Sequence, residues 1–149
     1  ESWPDTSILK HNGYTVASAS RFISLIKLTN KKRCDYFPRA IYEGLNEINW
    51  LADKFPDLRL VDDVLLSYRL PIYLFVRKSN ADLAKNLTKG LNAAIEDGSF
   101  QQLFNQHSAL KYLHPLEQWR DKIILILNNP SIPPLTPQEP VYWIDLKNQ

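Results

Sequence analysis

The chain has 149 residues, 44% of them hydrophobic and 23% charged, with 18 Lys and Arg against 16 Asp and Glu. This composition excludes a disordered chain, and the net charge of +2 gives no electrostatic reason to expect a nucleic-acid partner. The single cysteine excludes an internal disulfide, and the longest apolar runs, at 70–76 and 123–127, are far shorter than the roughly 20 residues of a membrane-spanning helix.

Helices and strands alternate in the first part of the chain. In order, the patterns predict a helix at 2–12, a strand at 14–18, a helix at 20–30, a strand at 33–37 and a helix at 40–54. Gly13, Pro38 and Pro56 mark the ends of three of these segments. This alternation predicts an α/β unit with a parallel sheet and crossover helices. A single unit of this length is expected to bury about two-thirds of its unfolded surface.

The second part of the chain begins with strands and continues with two successive helices. The patterns predict strands at 58–62, 65–69 and 70–79, helices at 81–98 and 100–110, and a last strand at 122–127. Ser99 is the predicted cap of the second helix. Five of the ten prolines lie between Pro130 and Pro140, which predicts an extended tail that cannot pair as a central strand.

Signatures of known chemistry are missing from the sequence. Four glycines leave no room for a Gly-rich phosphate loop, and neither GxGxxG nor GxSxG occurs. The three histidines lack the spacing to Cys or carboxylates that a metal set has. We therefore predict no metal, no cofactor and no catalytic residue.

The first candidate ligand site is the start of the first helix, in the stretch "SWPDT". The first N–H groups of a helix have no partners inside the helix and attract anions. On this interpretation Asp5 and Thr6 bind the ligand together with the backbone, and Trp3 provides an apolar wall. The alternative is that these residues only cap the helix and pack.

The second candidate site is the stretch "YFPRA", where a predicted strand meets the third helix. Ligands of parallel sheets bind beyond the carboxyl ends of the strands, which is where Tyr36 and Arg39 are expected. Arg39 offers a planar fork of donors to a carboxylate or phosphate. Glu43, one turn later, is either part of the site or the partner of Arg39 in an ordinary exposed ion pair.

Two stretches carry a resemblance to a known family. They are "RCDYFPRAIYEGLNEI" and "LLSYRLPIYLFVRKSNADLAKNLTKGLNAAIEDGSFQQLF". Both resemble the family-3 periplasmic solute-binding proteins, the amino-acid type of the type II periplasmic binding protein superfamily. The shared features are a basic residue and an Asp closing a strand, here Arg33 and Asp35, a returning "YLFVRK" strand, and an Asp-Gly-Ser-Phe turn at 97–100.

The resemblance covers about 2–104 and implies a fold of two α/β lobes. Each lobe is then a three-layer sandwich with a mainly parallel sheet. The chain would be the C-terminal portion, with 1–68 as most of lobe two, 69–127 as the returning part of lobe one, and 128–149 as a proline-rich extended tail. Most of lobe one would precede residue 1, and self-association of such a fragment is expected.

The resemblance also implies a function. Family members are periplasmic and hold a small solute in the cleft between the lobes for delivery to an ABC-type permease or for sensing. The family's acidic residue for a ligand ammonium falls here on Ala40, next to Arg39, which favours an anionic or polyhydroxy solute over an ordinary amino acid. The alternatives are an enzyme on the same fold, either dehydratase-like or associated with a cell-wall lyase and with Glu43 as its acid or base, and a sensory module without transport.

Overall fold

The computed structural model describes residues 3–146. These residues form five α-helices and two short strands, joined by loops and short 3₁₀ turns. The elements are α1 (Pro4–His11), α2 (Phe22–Asn30), α3 (Ile41–Leu51), β1 (Val64–Ser67), α4 (Ala81–Glu96), α5 (Ser99–Gln106) and β2 (Ile123–Ile126). The prediction of a mixed α/β chain is therefore confirmed.

The two strands form a small parallel sheet. Val64 of β1 lies opposite Ile123 of β2, and Ser67 lies opposite Ile126. Beyond the sheet the Leu127 N–H donates to the Ser67 carbonyl at 2.8 Å. Helices α4 and α5 connect the two strands, as a parallel pair requires, because its strands cannot be joined by a tight turn. The predicted strands at 65–69 and 122–127 are thus confirmed with shorter bounds.

Four other predicted strands are wrong as secondary structure. Residues 14–18, 33–37, 58–62 and 70–79 contain neither helix nor strand. Their apolar, β-branched and aromatic composition fits a strand, but a strand exists only where its N–H and C=O groups bond to a neighbour. In the described part of the chain these segments have no neighbouring strand.

A first apolar cluster joins α1 to the sheet. Ile8 and Leu9 of α1 are buried against Leu127, and partly buried apolar side chains surround them: Tyr14, Val16, Leu66 and Tyr68. The Asn12 side chain fixes the same contact, since its Nδ2 donates to the Asn128 carbonyl at 2.8 Å and its Oδ1 accepts from the Asn128 N–H at 3.0 Å. The end of α1 is thereby held near the segment that follows β2.

A second apolar cluster joins α2 to α3. Ile26 of α2 is buried against Leu51 and Phe55, at the end of α3. The partly buried side chains around it are Phe22, Ile23, Phe37 and Leu58. Phe22 and Phe37 reach from this cluster to Arg39, so the same packing that closes the helix pair also positions the candidate site.

Two helix starts differ from their predicted caps. Trp3 occupies the position before α1, and its side chain makes no capping hydrogen bond. Gly98 occupies the position before α5 with φ +78°, so Ser99 is the first helical residue and not the cap. The Asp97 carboxylate accepts the Ser99 N–H at 2.9 Å and fulfils the capping role. Asp5 and Thr6, the possible caps named from the sequence, lie within α1 and not before it.

The proline-rich tail lies against the segment that follows β1. The Arg69 guanidinium stacks over the Trp143 ring at 4.8 Å, and Asn129 Nδ2 donates to the Arg69 carbonyl at 2.9 Å. The Tyr73 and Thr136 hydroxyls are 2.5 Å apart, and Thr136 is buried. No strand forms in the described part of the tail, at 128–146.

Candidate functional site

Arg39 stands two residues before α3 and bonds to carboxylates along that helix. Its Nε donates to Glu47 Oε2 at 2.7 Å and its Nη2 donates to Glu47 Oε1 at 2.6 Å, a bidentate pair. The same Nη2 lies 2.9 Å from Glu43 Oε2. The expected Arg39–Glu43 contact therefore forms, but the stronger partner is Glu47, one turn further along α3.

Two aromatic rings flank the Arg39 guanidinium. Its Cζ lies 5.3 Å from the centre of the Phe22 ring and 5.4 Å from that of the Phe37 ring. Each ring attracts a cation placed near it. The Glu47 hydrogen bond raises the pKa of Arg39, as do the charges of Glu43, Glu47 and Asp5, while burial opposes the rise. Arg39 is thus charged and fixed in place, and not a free surface cation.

Asp5, at the start of α1, has a hydrogen-bond partner of its own. Its Oδ1 accepts the Tyr68 hydroxyl at 2.5 Å. Burial raises the pKa of Tyr68, and the hydrogen bond and charge of Asp5 raise it further. The Asp5 charge is also the least of the causes that raise the pKa of Arg39. In the described part of the chain no hydrogen bond or ion pair joins the two candidate sites that were predicted from sequence.

Two large aromatic side chains of the predicted site are open to solvent. Trp3 is 64% exposed and Tyr36 is 57% exposed. Partial burial raises the pKa of Tyr36, and the nearby Tyr14 and Asp35 add to the rise. Thr6 is half-buried, and its N–H donates to the Trp3 carbonyl at 3.1 Å, so this amide is not free to bind an anion.

The structure brings Arg39, Glu43 and Glu47 into one cluster, pairs Asp5 with Tyr68, and leaves Trp3 and Tyr36 exposed to solvent. Sequence reasoning missed two of these partners, Glu47 and Tyr68. Glu47 had a usable signal, because it follows Glu43 by four residues on a predicted helix and so shares its side. Tyr68 had none, since it meets Asp5 from 63 positions further along the sequence.

The chemistry available here is charge pairing and hydrogen bonding. Within residues 3–146 no three His, Cys, Asp or Glu side chains group as metal ligands. No helix of this described range combines the length and apolar content needed to cross a bilayer. The Glu43 carboxylate, the candidate acid or base, is used in its ion pair with Arg39.

Comparison of the chain with protein-family models, with curated proteins and with solved structures finds no match.

Proposed function

We propose that the chain is part of a periplasmic solute-binding protein of the family-3 type and binds a small polar or anionic solute in a cleft between two lobes. The observation that supports this proposal most is the cluster in which Glu43 and Glu47 hold the half-buried Arg39 guanidinium. A binding cleft needs polar groups from separate segments that converge on one place. The Arg39 cluster and the Asp5–Tyr68 pair provide polar groups from separate segments, and the Asp5 charge acts on the pKa of Arg39.

The local charge balance narrows the class of solute. Arg39 pairs with the carboxylates of both Glu43 and Glu47, and the charge of Asp5 also acts on its pKa. A carboxylate or phosphate ligand would have to compete with the bidentate Glu47 for the same guanidinium. Hydroxyl and ammonium groups can instead donate to the surplus carboxylate oxygens. Among the small polar or anionic solutes proposed, the cluster therefore favours a neutral polar solute over a purely anionic one.

The exposed aromatic side chains suit the walls of such a site. Small-molecule sites combine apolar and aromatic surface with a few placed polar groups. Trp3 and Tyr36 supply rings that are largely uncovered, and Thr6 supplies a hydroxyl in the first turn of α1. Covering these rings with a solute and a closing lobe would remove apolar area from water, which stabilises the bound state.

The proposed architecture follows from the same assignment. Residues 1–68 are assigned to most of lobe two and 69–127 to the returning part of lobe one, so the pairing of β1 with β2 joins the two assigned parts and would belong to the crossing between the lobes. The proposed three-layer sandwich of each lobe requires strands beyond these two. Solute binding closes the lobes by a hinge motion, and the closed form is recognised by a membrane permease or a sensor.

Thermal shift screening tests the proposal directly. We expect one or more sugars, polyols, amino acids or dicarboxylates to raise the melting temperature of the chain. A ligand present at about 100 times its dissociation constant stabilises the folded state by about 2.7 kcal/mol. For a chain of this size that corresponds to a rise of roughly 5 to 10 °C. Titration calorimetry then gives the affinity.

Tyr36→Ala should weaken the binding of any solute found in this way by about tenfold or more, since the variant removes an aromatic wall. Tyr142→Ala is the matched control, because Tyr142 is a comparably exposed tyrosine in the tail. A screen in which no solute stabilises the chain would count against the proposal. If both variants lose the same affinity for the solute, the binding site does not include Tyr36.

A further inference from the structure

The chain exposes more surface than a folded monomer of its mass. Its accessible surface is 11671 Å², whereas folded monomers of 17.3 kDa expose about 7,800 Å². The excess is roughly 3,900 Å², and the chain buries only about half of its unfolded surface, where two-thirds is usual. The excess leaves room for an interface, and the exposed apolar side chains within it indicate where such an interface can form.

Part of the excess lies in the segment 70–76, which we call the exposed segment. Ile72 is 94% exposed and Phe75 is 96% exposed, with Leu70, Tyr73 and Leu74 also uncovered to a large degree. A run of apolar residues without polar alternation is typical of a strand covered on both faces. Here most of these side chains are exposed, while Pro71 and Val76 are half-buried and the Tyr73 hydroxyl contacts that of Thr136.

The backbone of the exposed segment is also unpaired. No N–H or C=O group of residues 70–76 bonds to another residue in the described part of the chain. In an extended conformation alternate residues direct these groups to opposite edges. Pro71 has no N–H, which interrupts one edge. The other edge, with the groups of Leu70, Ile72, Leu74 and Val76, is uninterrupted and can accept a strand.

Helices α4 and α5 leave apolar sides uncovered as well. None of the described residues of α4 or α5 is buried. The exposed apolar side chains are Leu83, Leu91, Phe100 and Leu103. These helices follow the exposed segment directly in the chain, so one interface can include all three elements.

We propose that a second copy of this chain covers the exposed segment and the apolar sides of α4 and α5. Antiparallel pairing about a two-fold axis lets the uninterrupted edge of each segment bond to that of its partner. Obligate homodimers bury about 2,000 to 5,000 Å² in total, which the excess surface of two chains readily supplies. The net charge of +2 opposes association only weakly. The inference does not rest on solute binding, because these residues lie outside the candidate site. It does compete with the proposed two-lobed architecture for this face, because there another part of lobe one would cover the exposed segment.

Sedimentation velocity of the 149-residue chain, at about 1 to 100 µM, tests this dimer. The double variant Ile72→Lys/Phe75→Lys adds charges to side chains that touch little within one copy, so its fold should persist by circular dichroism. We expect its dimer dissociation constant to rise by at least about tenfold. Leu74→Pro, which removes one N–H from the pairing edge without adding charge, should also weaken the dimer.

The matched control is Trp50→Lys/Leu135→Lys, which adds the same charge at exposed apolar positions of α3 and the tail. Its dissociation constant should equal that of the wild-type chain. A wild-type chain that stays monomeric across the concentration range overturns the proposal. So does a dimer that both double variants weaken equally, or that persists in Ile72→Lys/Phe75→Lys. A dimer unaffected by Leu74→Pro overturns the strand pairing.

Discussion

The hydrogen bond from the Tyr68 hydroxyl to the Asp5 carboxylate links two residues that are far apart in the sequence. Tyr68→Phe should lower the free energy of unfolding by about 1 to 2 kcal/mol, because the half-buried Asp5 carboxylate loses its donor while the ring packing is kept. Urea unfolding at neutral pH measures this change. Tyr42→Phe is the matched control, since Tyr42 is an exposed tyrosine on α3.

The pH dependence of this effect has a definite sign. The pKa of Tyr68 is raised in the folded chain, so its contribution is complete below the unfolded value of about 10. As the pH rises above 10, the unfolded state ionises first and the contribution is lost. The stability difference between the wild-type chain and Tyr68→Phe should therefore shrink on going from pH 7 to above pH 10. A difference that grows over this range would contradict the assignment.

At the scale of elements, replacing glycine by alanine should change the free energy of unfolding in opposite directions at Gly98 and at Gly90. Gly98 has φ +78° before α5, a conformation that strains a side chain, so Gly98→Ala should destabilise the α4–α5 pair by about 1 kcal/mol. Gly90 lies inside α4 with open space around an added Cβ, so Gly90→Ala should stabilise by about 0.5 to 1 kcal/mol. Urea unfolding followed by helix circular dichroism measures both. If both variants change the free energy of unfolding in the same direction, the result contradicts the helix boundary at Gly98.

The helices could be predicted because their sequence pattern is local, whereas most of the predicted strands, which need a neighbouring strand to pair with, were wrong. The five helices appear where periodicity and the stop residues place them, because a helix bonds within itself. Residues 14–18 and 70–79 have the composition of a strand, but among residues 3–146 they have no neighbouring strand to bond, so a prediction from composition alone was wrong. In the candidate site the Arg39–Glu43 pair was readable from its spacing. The Asp5–Tyr68 contact was not, because tertiary packing alone brings the two residues together.

For the whole molecule, the low burial has a measurable thermodynamic consequence. Unfolding a single copy releases roughly 13,400 Å², against about 17,300 Å² for an ordinary domain of this mass. The urea m-value scales with the surface released. The variant Ile72→Lys/Phe75→Lys, studied at concentrations where it is monomeric, should therefore show an m-value about a quarter below the value expected from its length.

The wild-type chain at high concentration provides the comparison. If a second copy covers the exposed segment, unfolding the dimer releases the interface as well, so the m-value per chain should rise toward the ordinary value and the midpoint should increase with concentration. An ordinary m-value in the monomeric variant would mean that a single copy covers its own apolar surface in solution. The exposed segment would then pack within the chain, and its exposure could no longer account for association.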